Sequence, residues 1–150
     1  MTPKTVHASA VLIGARAVLI RGPSGSGKSQ LALGLIEAAR GGALAFARLV
    51  ADDRVHLETA NGRLLARPAA ALAGLIEVRG IGLMRLAYEP CAVVGLVVDL
   101  AAADALRLPE ATQRKVEIDG INLPRLAVAS GEAVLPAVLA LINSEPDSWI

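Results

Sequence analysis

Apolar residues fall in short blocks, punctuated by Gly, Pro and Asn-Gly or Asp-Gly pairs, a rhythm of strands and hairpins rather than of long helices. Thr5 to Gly14 and Ala17 to Arg21 read as two strands, and Gly14-Ala15-Arg16 between them is too short for a crossover helix. They are therefore expected to pair antiparallel. A helix is predicted from about Lys28 to Arg40, with Gly41-Gly42 as its stop. Ala43 to Ala51 reads as a strand that delivers Asp52-Asp53 at its end, and Arg54 to Thr59 alternates as a half-exposed strand does. Asn61-Gly62 marks a hairpin returning through Leu64-Leu65-Ala66, Pro68 breaks that strand, and Ala69 to Leu75 suits a helical turn.

Gly80 and Gly82 interrupt the apolar segment 77–86 and suggest a special backbone path. Val93 to Leu100 is the plainest core strand, Asp119-Gly120 joins Val116–Ile118 to Ile121–Leu123 in a second hairpin, and Leu126 to Ala129 reads as a last strand. Ser130 is expected to cap a closing helix that reaches about Asn143, with Pro136 in its first turn. Beyond it Trp149 lies on a tail that is loose or docks on a neighbour. Two helices and about eight short strands do not make a doubly wound parallel fold; the expectation is an α/β chain with a mixed, hairpin-rich sheet, one domain over 1–150.

One segment carries chemistry at once. Gly22-Pro23-Ser24-Gly25-Ser26-Gly27-Lys28-Ser29 is a complete phosphate-binding loop, placed between the strand Ala17–Arg21 and the helix that starts at Lys28. Glycines let successive N–H groups turn toward phosphate, and the helix N-terminus adds free donors and a favourable dipole. Lys28 is expected on the outer phosphates of ATP and Ser29 on Mg²⁺.

Composition narrows the setting. Aromatics are confined to Phe46, Tyr88 and Trp149, so the core must be built from Leu, Val, Ile and Ala. A formal charge of +1 without basic runs gives no reason to expect nucleic acid. The single cysteine, Cys91, excludes an intrachain disulfide and suits a reducing compartment. No apolar stretch reaches the length of a membrane span, and a cytoplasmic protein is expected. The high apolar content also fits a surface covered by a partner subunit, hence a homo-oligomer.

Phosphoryl transfer needs more than a cradle: a group to take the acceptor's proton and acids to complete the Mg²⁺ sphere. Asp52 and Asp53 are the candidates, provided a turn at the strand end aims both into one cleft. Glu77 and Arg79 share strand parity and, with Gly80 and Gly82, form a second candidate group. His7, on the first strand, is a candidate active-site group, and His56 a weaker one. No histidine pair has metal-ligand spacing, and no nucleophile elbow is present apart from a superficial match inside the phosphate loop.

His7, the phosphate loop at 22–29, Leu49-Val50-Ala51-Asp52-Asp53-Arg54-Val55 and Ile76-Glu77-Val78-Arg79-Gly80-Ile81-Gly82, in that order, closely resemble the catalytic C-terminal domain of the bacterial HPr kinase/phosphorylase family, over roughly residues 4–143. The resemblance implies a P-loop kinase fold similar to that of phosphoenolpyruvate carboxykinase. It also implies ATP- and Mg²⁺-dependent phosphorylation of a serine on HPr, the phosphocarrier of the sugar phosphotransferase system, and a hexameric assembly. It implies Asp52 as general base, Asp53 as its partner near Mg²⁺, Ser29 and Glu77 as metal-associated groups, Lys28 on phosphate, Arg79 in phosphoryl transfer and His7 beside the catalytic carboxylate. The chain resembles the short alphaproteobacterial forms that lack the family's N-terminal domain. It departs from the family before the last helix, where an Arg-Pro-Gly-Arg-Asn-like segment is replaced by Ala127-Val128-Ala129-Ser130-Gly131-Glu132. Those arginines serve the phosphorylase reaction and partner contact, so kinase activity with weak or absent phosphorylase activity is implied; Arg79 and Arg125 are the cations left to compensate. Two other readings stay open: a nucleotide-binding regulatory module without turnover, and a small-metabolite P-loop kinase with a lid in Arg107–Lys115.

Overall fold

The computed structural model describes residues 5–144. Eleven strands and two helices follow in the order β1 (Thr5–Val6), β2 (Ala8–Ile13), β3 (Arg16–Arg21), α1 (Lys28–Arg40), β4 (Ala47–Ala51), β5 (Val55–Ala60), β6 (Arg63–Pro68), β7 (Leu75–Val78), β8 (Gly82–Arg85), β9 (Ala92–Asp99), β10 (Lys115–Ile118), β11 (Ile121–Ala127) and α2 (Val134–Ile142). Short 3₁₀ turns occupy Ala70–Leu72 and Ala111–Arg114.

Nine strands form one mixed sheet in the order β1-β5-β6-β9-β3-β2-β4, with β11 also on β9 and β10 on β11. Strand β9 is the hub. It pairs parallel with β3 and with β11, and antiparallel with β6. Its first residues, Ala92 and Val93, meet β6, while Val97 to Asp99 meet β11, so the sheet forks and curls there. Gly95 is the extra residue of a bulge: Ala17 opposes Val94 and Val18 opposes Leu96. A Cβ at Gly95 would lie 2.7 Å from Arg16 Cδ, so no other residue fits without displacing that side chain.

Alternation along β3 sorts the core. Ala17 and Leu19 pack with Val50, Val55, Leu64, Val94 and Val97 inside the curl. Val18 and Ile20 face the layer of α1 and α2, with Leu31, Leu35, Ile76, Val98 and Val138. Both faces of the central strands are thus apolar, which is how a chain with so few aromatics builds its core.

Several expectations change. The strand expected from Ala43 begins at Ala47, because Gly41 to Phe46 turn the chain after α1. Leu126–Ala129 is no separate strand; Leu126 and Ala127 end β11, whose seven residues pair first with β10 and then with β9. Ser130 does not cap α2: the N-cap is Ala133, with no side-chain bond, and Asn143 is the C-cap. Eleven strands replace about eight, because β1 is split from β2 at a bend and residues 75–85 fold into a separate hairpin, β7–β8. The segment 107–115 holds only a 3₁₀ turn, locked by a Glu110–Gln113 capping box, and forms no helical lid. Trp149 lies outside the described residues. Among those residues no helix is long and apolar enough to cross a membrane.

Leu19 is fully buried on the central strand next to the phosphate loop. Leu19→Ala is expected to destabilise the chain by about 2–5 kcal/mol, read from the shift of the urea midpoint at constant slope.

Candidate active site

The loop between β3 and α1 closes on itself in the way phosphate-binding loops do. Gly25 and Gly27 have φ of 80° and 100°, which turns their N–H groups inward. A Cβ at Gly22 would meet Ser26 Oγ at 2.5 Å. Helix α1 starts with Gly27 as N-cap, no side-chain cap and no acid in its first turn. Its first N–H groups therefore have no side-chain cap from the helix itself. Lys28 is 7% exposed, and its ammonium donates to the carbonyls of Gly22 (2.7 Å) and Pro23 (3.0 Å). None of the ion pairs formed among the described residues involves it. A buried cation and an uncapped helix start, side by side, fit a polyphosphate.

Asp52 directly follows β4 and is 5% exposed. Its Oδ1 accepts from buried Ser9 on β2 at 2.6 Å. The Ser29 hydroxyl lies 2.8 and 2.9 Å from its two oxygens, and the Glu77 N–H donates to Oδ2 at 3.3 Å. Asp53 then takes φ 69°, a conformation Asp tolerates better than most residues, and Arg54 N–H closes the turn on the Asp52 carbonyl at 2.8 Å. The turn sends the second carboxylate the other way. Asp53 is 62% exposed, and its Oδ1 lies 2.7 Å from His7 Nε2.

The sheet register brings His7 there. Val6 opposes Val55 and Ala10 opposes Ala51, so the bend at His7 and the turn at Asp52–Arg54 are enclosed between the same two ladders. His7 sits in the bend between β1 and β2, not within a strand as its surroundings suggest.

These groups share one cleft of about 500 Å³, whose walls include His7, Lys28, Ser29, Asp53, Glu77 and Arg79. Glu77 is exposed and follows buried Ile76, so its side chain points away from the core and lines the cleft, with Val78 and Arg79 beside it. Of the candidates from the sequence, His7, Ser24, Gly25, Gly27, Lys28, Ser29, Asp53, Glu77 and Arg79 line this space; Gly22, Pro23, Ser26 and Asp52 do not, and the Asp52 carboxylate lies against the Ser29 hydroxyl. His56 does not line the cleft. Ser9, Gln30 and Leu33 line it and were not anticipated. Ser9 had a signal, as the one hydroxyl in the apolar run Ala8 to Ile13. Arg125, held as a spare cation, is bound by Asp99 and Asp104. Among the described residues no cluster of three or more His, Cys, Asp or Glu forms a metal cage. Ser29, Asp52 and Glu77 instead offer the few oxygens that suit a Mg²⁺ sharing its shell with phosphate and water.

A family model described as the HPr serine kinase C-terminal domain matches residues 1–132. The chain belongs to this family. It is 31% identical over 135 residues, 83% of its length, to an HPr kinase/phosphorylase of Streptococcus thermophilus, and 36% identical over 85 residues, 56% of its length, to that of Clostridium beijerinckii. It spans 41% and 26% of the lengths of those relatives. The structure of the Hpr(Ser) kinase/phosphatase from Coxiella burnetii superposes with a TM-score of 0.74 and 28% identity, covering 93% of each chain. The fold is thus the P-loop kinase type of the HPr kinases, with the mixed sheet expected.

The two carboxylates should separate in a stability measurement. Asp52→Ala leaves buried Ser9 and Ser29 without their acceptor and is expected to cost about 1–3 kcal/mol in urea unfolding. Asp53→Ala, at an exposed turn, should shift stability by less than about 0.5 kcal/mol.

Proposed function

We propose that the chain is an ATP- and Mg²⁺-dependent protein-serine kinase acting on an HPr-like phosphocarrier protein in the cytoplasm, with weak or absent phosphorylase activity. One observation carries the reading: the phosphate loop, Ser29 with Asp52 bonded behind it, and the His7–Asp53 pair meet at one cleft.

The resemblance assigned the base role to Asp52; the geometry favours the reverse allocation. Asp52 is buried, and three donors already occupy its oxygens, so it is suited to hold Ser29 and the metal side of the site. Asp53 stands in the cleft, where an acceptor hydroxyl can reach it, and it takes the proton as oxygen–phosphorus bonding develops. His7 orients that carboxylate by its 2.7 Å contact. Lys28 exchanges the carbonyls of Gly22 and Pro23 for the outer phosphates. Arg79, on the cleft wall, steadies the transferring phosphoryl group. Ser29 and Glu77, with Asp52 behind Ser29, would hold Mg²⁺, which would supply neutralisation of the phosphate charge.

The reverse reaction must bring two anions together. Arg125 is committed to two aspartates, and Glu132 stands on an exposed turn, so neither adds positive charge to the cleft. Assembly into a homo-oligomer, a hexamer by family resemblance, draws support from α2, which is apolar all round although only Val138 is fully buried. The β7–β8 hairpin adds Ile81 and Leu83, 70% and 71% exposed.

Incubation of the purified chain with radiolabelled ATP, Mg²⁺ and HPr should give serine-linked label on HPr. Asp53→Asn is expected to lower kcat by about 10²–10⁴-fold with ATP affinity retained, the usual scale for a lost general base. Lys28→Ala should weaken ATP binding and abolish most transfer. ATP binding by the wild type without transfer would favour the regulatory module; a kcat loss confined to Asp52→Asn would return the base role to Asp52. Pyrophosphate release from phosphoserine-HPr and phosphate at a rate matching the forward reaction would defeat the directional claim.

A further inference from the structure

The parallel strand beside the phosphate loop ends in an acid that the transfer chemistry does not use. Asp99 closes β9 opposite Arg21, the residue before Gly22. Arg21 Nε and Nη2 donate to its two oxygens at 2.7 and 2.8 Å, and Arg125 Nε from β11 donates to Oδ2 at 2.6 Å. Arg125 reaches on to Asp104, donating from both terminal nitrogens at 2.8 and 2.9 Å. Asp104 belongs to the 100–114 loop, which is folded back by Gln113: its side-chain amide donates to the Asp104 carbonyl at 2.5 Å. Burial works against ionisation of Asp99, but the bonds from Arg21 and Arg125 outweigh it and hold the carboxyl below the ordinary range.

The backbone follows the same line. Leu100 N–H donates to the Arg21 carbonyl at 2.8 Å, and Leu100 packs where a Cβ on Gly22 would go. The Gly22 carbonyl is in turn the 2.7 Å acceptor of the Lys28 ammonium. An unbroken set of contacts thus runs from exposed Asp104 through Arg125, Asp99 and Arg21 to the peptide that holds Lys28.

We propose that Asp99 and Arg125 are positioning residues for the phosphate loop, and that the 100–114 loop is coupled through them to nucleotide binding at 22–29. This rests on the reading of 22–29 as the nucleotide site. Guanidinium geometry is required: Arg125 bridges two carboxylates with three nitrogens, which a lysine ammonium cannot do.

Amide hydrogen exchange on the nucleotide-free full chain tests the coupling apart from any activity. Asp104→Ala removes only the outer, half-exposed end of the network. It is expected to speed exchange at residues 22–27 by about threefold to tenfold, with β2 and the second half of α1 unchanged. Asp104→Glu should restore much of the protection. In transfer assays Asp104→Ala and Arg125→Lys should raise the KM for ATP by about threefold to tenfold with kcat within about twofold. Faster exchange in 100–114 with wild-type exchange at 22–27 would overturn the coupling. So would an unchanged KM in both variants. If the wild type binds no ATP, the nucleotide reading fails while the exchange result still decides whether the loops are linked.

Discussion

A carboxylate buried at a strand end must be supplied with donors, and Asp52 draws them from three elements at once. Ser9 comes from β2, Ser29 from the first turn of α1, and the Glu77 amide from β7. The β2–β4 pairing, the position of the helix that carries the phosphate loop and the approach of the β7–β8 hairpin are therefore tied at one point. Everything else in the cleft is placed relative to that point. Asp53 follows by one left-handed residue, His7 by the register of the flanking ladders, and Arg79 by the turn that ends β7.

The sheet divides its acids between two tasks. On the antiparallel side of β3, across β2, β4 supplies the carboxylates that face Ser29 and the cleft. On the parallel side, β9 supplies Asp99, whose position at a strand end beside the loop is equally suited to chemistry. Two arginines occupy it instead. Charge balance explains the division: Arg21 would otherwise place an unpaired cation directly before the loop, able to compete with Lys28 for the same phosphates. With Asp99 in place the cationic field at the mouth of the loop belongs to Lys28.

Much of this was legible in the residues. The boundaries of α1 follow from Lys28-Ser29 after the glycines and from Gly41-Gly42 at its end. Both hairpin turns, Asn61-Gly62 and Asp119-Gly120, have the paired positive φ their sequences demand. The family resemblance, read from the motifs at 7, 22–29, 49–55 and 76–82, agrees with the family match over residues 1–132. What the residues did not disclose was long-range. Local patterning has no means to show that β9 pairs with three strands, that Arg125 reaches Asp99, or which of two adjacent aspartates turns inward. Ser130 misled because a hydroxyl before an apolar run is a sound cap signal; here Gly131 and Glu132 make a turn first and the helix begins at Val134. Pro136 then falls in the first turn, as its missing N–H requires.

The shape of the cleft bears on what it can accept. Its phosphate end is formed by Lys28 and the glycine loop, and its other end by the bend at His7, the turn at Asp53 and the start of the β7–β8 hairpin. Strand β8 is exposed along its whole length, and the apolar side chains Ile81 and Leu83 stand on the same hairpin as Glu77 and Arg79. A protein segment brings its own cover: its backbone can exclude water from the His7–Asp53 pair, and its apolar side chains can bury the hairpin beside it. On the proposed reading, the hairpin beside the His7–Asp53 pair is the surface a protein acceptor would cover.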